Sequence, residues 1–108
     1  MSDAKRFAAI FDGLKQAYGT FEIDSTKANG KNTGKARVVR EPRTMDHFEQ
    51  HLAGEGAGIG IIPINEEDSC KWGCIDIDEY PLDHGRLIEK IRHGKLPLVV
   101  CRSKSGGA

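Results

Sequence analysis

No stretch of these 108 residues is long and apolar enough to cross a bilayer, and the opening Met-Ser-Asp-Ala-Lys-Arg lacks the apolar core of a secretion signal. Apolar residues are on the low side, 38% against 30% charged, so the core is expected to be modest and the surface well solvated. Net charge is absent too: 16 Lys and Arg balance 16 Asp and Glu, which removes any global field as a sign of a nucleic-acid or membrane partner. Cysteine is scarce and odd in number. Cys70, Cys74 and Cys101 lie in or beside apolar runs and read as reduced, partly buried thiols of a soluble, cytoplasmic protein, not as a disulfide framework. There is no internal repeat and no linker, and the length suits one domain spanning 1–108.

What is present is unevenly spread. Residues 1–43 and 84–108 are each net basic, whereas 44–83 hold most of the carboxylates. An acidic centre between basic flanks is an arrangement that a metal-dependent, phosphate-handling site would need. Phe7, Ile10, Phe11, Leu14 and Tyr18 recur at helical spacing, predicting a helix over 3–17 that Gly19 ends. A short strand over 20–23 follows, then a polar, glycine-punctuated loop over 24–35, then a strand over 36–40 closed by Pro42. Thr44 suits the N-cap of a second helix reaching Leu52, with Gly54 as its stop. Ile61–Ile64 reads as a buried strand, 65–69 as an acidic turn and Cys70–Asp78 as another strand. A helix over 83–93 and a strand over 96–101 complete a mixed α/β layer of about three helices and a small sheet.

The sharpest chemical signal is Asp76 and Asp78. Two apart on a strand, they project from one face while Ile75 and Ile77 project into the core. Like charges so close repel, and a divalent cation resolves the conflict; hard oxygen ligands suit Mg²⁺ or Mn²⁺. The plain alternative is a pair of solvated aspartates where a strand meets a turn. In a parallel strand–helix–strand unit, the loop after the second strand, Arg102-Ser103-Lys104-Ser105-Gly106-Gly107, emerges beside the acidic pair. Amides at small residues can cradle a triphosphate there while Arg102 and Lys104 neutralise it, although the same segment also reads as a flexible tail.

The run Lys71-Trp72-Gly73-Cys74-Ile75-Asp76-Ile77-Asp78-Glu79-Tyr80, then Leu82-Asp83-His84, then Leu96-Pro97-Leu98-Val99-Val100-Cys101 leading into Arg102–Ala108, resembles the primase domain of TOTE conflict systems, a branch of the archaeo-eukaryotic primase superfamily. Ala17–Phe21, Gly34-Lys35-Ala36, His51-Leu52 with Gly54, and Gly58–Ile64 are similar to that branch as well, so the resemblance covers nearly the whole chain. It implies the N-terminal part of a primase-polymerase catalytic domain, acting in DNA replication with Mg²⁺ or Mn²⁺ on Asp76 and Asp78. It further implies an incoming NTP or dNTP on Ser103, Ser105, Gly106 and Gly107, and a single-stranded DNA or RNA template. The family's histidine would follow Ala108, and a third carboxylate would lie further on. The resemblance therefore implies a front portion that needs the remainder of the domain and is inactive alone. A rival of another class is a stand-alone, non-catalytic primase derivative that binds nucleic acid or inhibits an enzyme by protein–protein contact.

Lesser candidates are weighed against plainer readings. His47 and His51 are four apart on a helix, the spacing of a zinc pair, but no third ligand is spaced to join them and an exposed helix face is the simpler reading. Cys70, Cys74 and Trp72 read as packing residues. Lys35, Arg37 and Arg40, with Lys27 and Lys31, make a basic stretch that reads as a solvated face or, as the resemblance implies, as part of the template path. An unpaired last strand would favour self-association.

Overall fold

A computed structural model describes residues 2–108. Among the described residues, three helices and one three-stranded antiparallel sheet form an α+β fold: α1 (Asp3–Ile10), β1 (Tyr18–Thr26), β2 (Asn32–Val39), α2 (Met45–Ala53), β3 (Gly58–Gly60) and α3 (His84–His93). Strand order is β2-β1-β3, with Gly19 opposite Gly60, Thr20 opposite Ile59 and Phe21 opposite Gly58. The chain divides into two units. One holds residues up to Glu22 together with Gly34–Cys74; the other holds Ile23–Thr33 together with Ile75–Ala108. Among the described residues, no helix is long and apolar enough to cross a membrane.

In the first unit, α1 starts where the Ser2 hydroxyl accepts from the Lys5 amide at 3.3 Å. It stops at Ile10, well short of the expected Ala17. The reason is tertiary. Gly13 lies so close to the Ile62 carbonyl that any side chain would collide with it, and the Leu14 amide donates to the same carbonyl at 2.9 Å. Leu14 and Tyr18 thus keep helical spacing without being helical, and Tyr18, 8% exposed, opens β1 instead. Helix α2 begins after Thr44, whose amide donates to His47 Nδ1 at 2.9 Å, so His47 takes the place a glutamate holds in a capping box. Gly54, at φ 71°, closes it in the left-handed conformation. Phe48 on α2 is fully buried, with the Phe7 ring against its edge at 6.0 Å.

One carboxylate ties this unit's loops together. Asp12 Oδ1 pairs with Arg43 at 2.7 Å and Oδ2 with Lys71 at 2.9 Å, while its carbonyl accepts from the Trp72 indole at 3.0 Å. Arg43 also donates to the Leu14 carbonyl at 3.2 Å and lies 5.3 Å from the Phe48 ring centre. Trp72 packs edge-on to Phe11 at 5.3 Å, the plain reading of that residue.

The segment over 24–35 is a hairpin, not the expected loop. Ser25 and Thr33 hydroxyls meet across the strands at 2.6 Å, and Thr26 donates to Asn32 Oδ1 at 2.7 Å. The turn closes with the Lys27 amide on the Lys31 carbonyl at 2.8 Å, and Gly30 sits at φ 88°, where glycine is at ease. The strand expected over 61–64 is displaced to Gly58–Gly60, because Ile62 spends its carbonyl on Leu14 and Ile64 forms only an isolated bridge to Cys70. Between them lies the expected acidic turn, organised by Asn65 Oδ1, which accepts from the Glu67 and Ser69 amides.

In the second unit, Asp83 caps α3 by accepting from the Arg86 amide at 3.0 Å, and Lys90, Arg92 and His93 sit favourably at its C-terminal end. The strand expected over 96–101 belongs to no sheet. The Leu98 amide turns back onto the Leu96 carbonyl at 2.9 Å across Pro97, and Leu96, Leu98 and Val99 are all exposed. Ile75, expected in the core, is 65% exposed, and all three cysteines are exposed and free, not partly buried.

The hydrogen bond from Lys71, reinforced by the charges of Lys71, Arg43 and Lys15, holds the Asp12 carboxyl below its ordinary 3.8 against the opposing effect of burial. A carboxyl lowered by folding contributes stability above its unfolded value and loses it as pH falls through the folded one. Asp12→Asn is expected to cost about 2 kcal/mol at pH 7. It should also flatten the loss of stability below about pH 4, where the wild-type carboxylate protonates. Urea unfolding between pH 2.5 and 7 checks both.

Candidate functional site

Asp76, Asp78 and the loop from Arg102 to Gly107 all belong to the second unit. What joins them is not a parallel strand–helix–strand crossover. Ile77 and Ala108 exchange both backbone hydrogen bonds, at 2.7 and 3.2 Å, which is the pattern of a narrow antiparallel pair. The loop makes this happen by reversing the chain. The Gly106 amide donates to the Ser103 carbonyl at 3.1 Å, the Ser103 amide donates to the Gly107 carbonyl at 3.0 Å, and Gly106 sits at φ 102°. A tight turn with a glycine bulge returns residues 107 and 108 alongside Ile77. Two amides expected to cradle phosphate, those of Ser103 and Gly106, are therefore spent inside the turn.

The strand expected over Cys70–Asp78 does not form; Ile77 alone of residues 75–79 is half-buried, and Ile75, Asp76, Asp78 and Glu79 are exposed. Tyr80 continues the even-numbered series and was not singled out from the sequence. Its hydroxyl lies 3.1 Å from Asp78 Oδ1 and 2.8 Å from Ser105 Oγ, and Ser105 Oγ lies 3.1 Å from Ser103 Oγ. Asp78 and the serine–glycine loop are thus linked by a row of hydroxyls. The Lys31 ammonium stands 5.3 Å from the Tyr80 ring centre.

The hairpin tip grips the loop from its other side. The Asn32 amide donates to the Ser105 carbonyl at 2.8 Å, and its side chain donates to the Lys104 carbonyl at 3.1 Å. Both ring nitrogens of His84 face carbonyl oxygens, Leu82 at 3.1 Å and Gly107 at 2.9 Å. No signal in the sequence points to Asn32, because the residues around it read as loop; Tyr80 could have been found from its even-numbered spacing to the two aspartates.

Arg102 is exposed and Lys104 half-buried, and loss of solvent pulls the Lys104 ammonium below its ordinary 10.5. An anion at the loop would relieve that penalty. As to a cation, the described residues include no group of three or more His, Cys, Asp or Glu arranged to hold one. Two exposed carboxylates nevertheless fit Mg²⁺ or Mn²⁺, ions that retain water and complete their shell with substrate phosphate.

Lys35 and Arg37 lie two apart on the exposed part of β2, an edge strand, and so share a face; Arg40 is exposed just beyond it. His47 and His51 are not an exposed helix face. Both are half-buried, His47 Nε2 lies 3.2 Å from the Tyr18 hydroxyl, and His51 Nδ1 accepts from the Ile59 amide at 3.1 Å. Each is committed to structure. Comparison with protein-family models, curated proteins and solved structures finds no match to this chain.

Gly107 is buried, and a side chain there would collide with the Ile77 carbonyl. Gly107→Ala is expected to break the Ile77–Ala108 exchange and speed amide hydrogen exchange at both residues roughly tenfold or more, a cost of about 1.4 kcal/mol in local opening. Gly73→Ala, which meets nothing within 4 Å, is expected to change neither.

Proposed function

We propose that this chain is the N-terminal portion of a primase-polymerase of the archaeo-eukaryotic primase superfamily, inactive alone, whose complete domain transfers nucleotides under template direction. The observation that supports the reading is the link Asp78–Tyr80–Ser105: it holds the two parts of the chain with metal-ligating and phosphate-binding chemistry next to each other. Asp76 and Asp78 are the metal ligands. A divalent cation there neutralises phosphate charge and lowers the cost of the charge that develops in phosphoryl transfer. The turn over Ser103, Ser105, Gly106 and Gly107 takes the incoming NTP or dNTP through the two serine side chains, the glycines shaping the turn, with Arg102 and Lys104 supplying positive charge. Lys35, Arg37 and Arg40 take phosphates of a single-stranded DNA or RNA template. A cytoplasmic setting suits the exposed free thiols of Cys70, Cys74 and Cys101.

A second reading is favoured by one observation. With two carboxylates and no third ligand in their group among the described residues, a non-catalytic nucleic-acid-binding module, or an inhibitor acting by protein contact, would need nothing more than this chain carries. The two readings separate on metal.

Mn²⁺ titrated into the chain and followed by the electron paramagnetic resonance of the free ion is expected to bind in the millimolar range or tighter. Asp76→Asn and Asp78→Asn should each weaken it about tenfold or more. Absence of binding, or binding indifferent to both substitutions, rejects the primase-polymerase reading in favour of the module. Replacing Lys35, Arg37 and Arg40 together by alanine is expected to weaken single-stranded DNA binding and lower its logarithmic salt slope by about 2, close to three contacts at about 0.7 each. Fluorescence anisotropy across a salt series measures this, and an unchanged slope removes those residues from the template path.

A further inference from the structure

The proton inventory of the hydroxyl row carries more than its distances. An ionised carboxylate only accepts hydrogen bonds, so the Tyr80 hydroxyl, 3.1 Å from Asp78 Oδ1, spends its one proton there. The Ser105 hydroxyl, 2.8 Å from the phenolic oxygen, must then donate to Tyr80, and Ser103, 3.1 Å further on, must donate to Ser105. All three protons point towards Asp78. None of the three protons is then left to donate to a phosphate oxygen. Chains of this kind polarise one another, so a change at one end is felt at the other.

We propose that Tyr80 is a positioning residue that couples the Asp78 carboxylate to the serine hydroxyls of the loop, so that a cation at the aspartates turns those hydroxyls towards an anionic ligand. The inference rests on the primase-polymerase reading and deepens it. A divalent cation on Asp78 draws electron density from Oδ1 and weakens it as an acceptor. Ser105 and Ser103 are then released to donate outward, to the phosphate of a nucleotide. By linkage, the anion strengthens the cation to the same degree. Tyr80 also fixes the carboxylate orientation through the hydrogen bond on Oδ1, the kind of outer contact on which metal affinity depends. The Lys31 ammonium near the Tyr80 ring favours a phenol that keeps its place.

Tyr80→Phe removes one hydroxyl and keeps the ring, and its two effects have opposite signs. Mn²⁺ affinity of the 108-residue chain should fall about tenfold, because Asp78 loses its orienting partner. Affinity for inorganic tripolyphosphate without metal should rise about threefold, because Ser105 no longer spends its proton on Tyr80. General damage to the fold would weaken both, so isothermal titration with each ligand separates coupling from damage. Should Tyr80→Phe fail to fold, judged by its thermal unfolding, Ser105→Ala breaks the same row one link later. Ser105→Ala should then weaken Mn²⁺ about threefold, with Ser105→Thr restoring it. A Tyr80→Phe protein that moves both affinities in one direction, or neither, overturns the coupling; so does a Ser105→Ala protein with wild-type Mn²⁺ affinity. If wild type binds tripolyphosphate but no Mn²⁺, the metal reading fails by itself, and tightening of tripolyphosphate in Tyr80→Phe alone decides whether the hydroxyl row stands.

Discussion

The mutual hydrogen bonds of Ile77 and Ala108 set the geometry on which the candidate site depends. They fix one residue of the acidic segment against one residue of the returning loop arm. Because Ile77 is the residue paired, its neighbours Asp76 and Asp78 are turned outward; because the loop reverses at Gly106, Ser103 and Ser105 are brought back towards Tyr80. The exchange is available only because Gly107 has no side chain. Any larger residue would meet the Ile77 carbonyl before the pair could close. A backbone constraint at a glycine thus governs where a carboxylate and a hydroxyl meet.

The first unit rests on a different kind of bond. Asp12 gathers Arg43, Lys71 and the Trp72 indole, three partners from two segments far from it in sequence, at a point where the chain has just left a helix. Its two oxygens and its carbonyl are all engaged, which compensates for the modest apolar core: of the large side chains among the described residues, only Phe48 is fully buried. Long-range ion pairing there supplements the hydrophobic packing that a chain with 38% apolar residues can provide.

Local signals carried the helices well. Thr44, Gly54 and Asp83 act as the caps their residue types suggest, whereas Gly94 ends α3 in the right-handed conformation and Lys95 takes the positive φ; α2 and α3 fall within a residue or so of their expected bounds. Helix α1 is shorter than its apolar spacing predicts, because Leu14 and Tyr18 continue a helical spacing while serving tertiary contacts, and spacing cannot distinguish the two. The hairpin is not legible in the sequence because glycines and polar residues over 24–35 look like a loop, whereas pairing of Ser25 with Thr33 and of Thr26 with Asn32 exists only across strands. Of the site, the two aspartates and the serine–glycine turn were legible as chemistry. Their junction was anticipated through the wrong topology, parallel where the structure is antiparallel. Tyr80, Asn32 and His84 were not singled out, since each acts through a partner distant in sequence.

The grip of Asn32 on the Lys104 and Ser105 carbonyls makes the hairpin's length a fixed quantity. One residue added between Lys27 and Lys31 would shift the strand by one position and carry the Asn32 amide to the opposite side of the ribbon. The tip has the composition of a segment that tolerates insertion, rich in lysine, asparagine and glycine and open to solvent. Its spacing is nevertheless as constrained as that of a buried strand, because it measures out the distance to a loop more than seventy residues later in the chain.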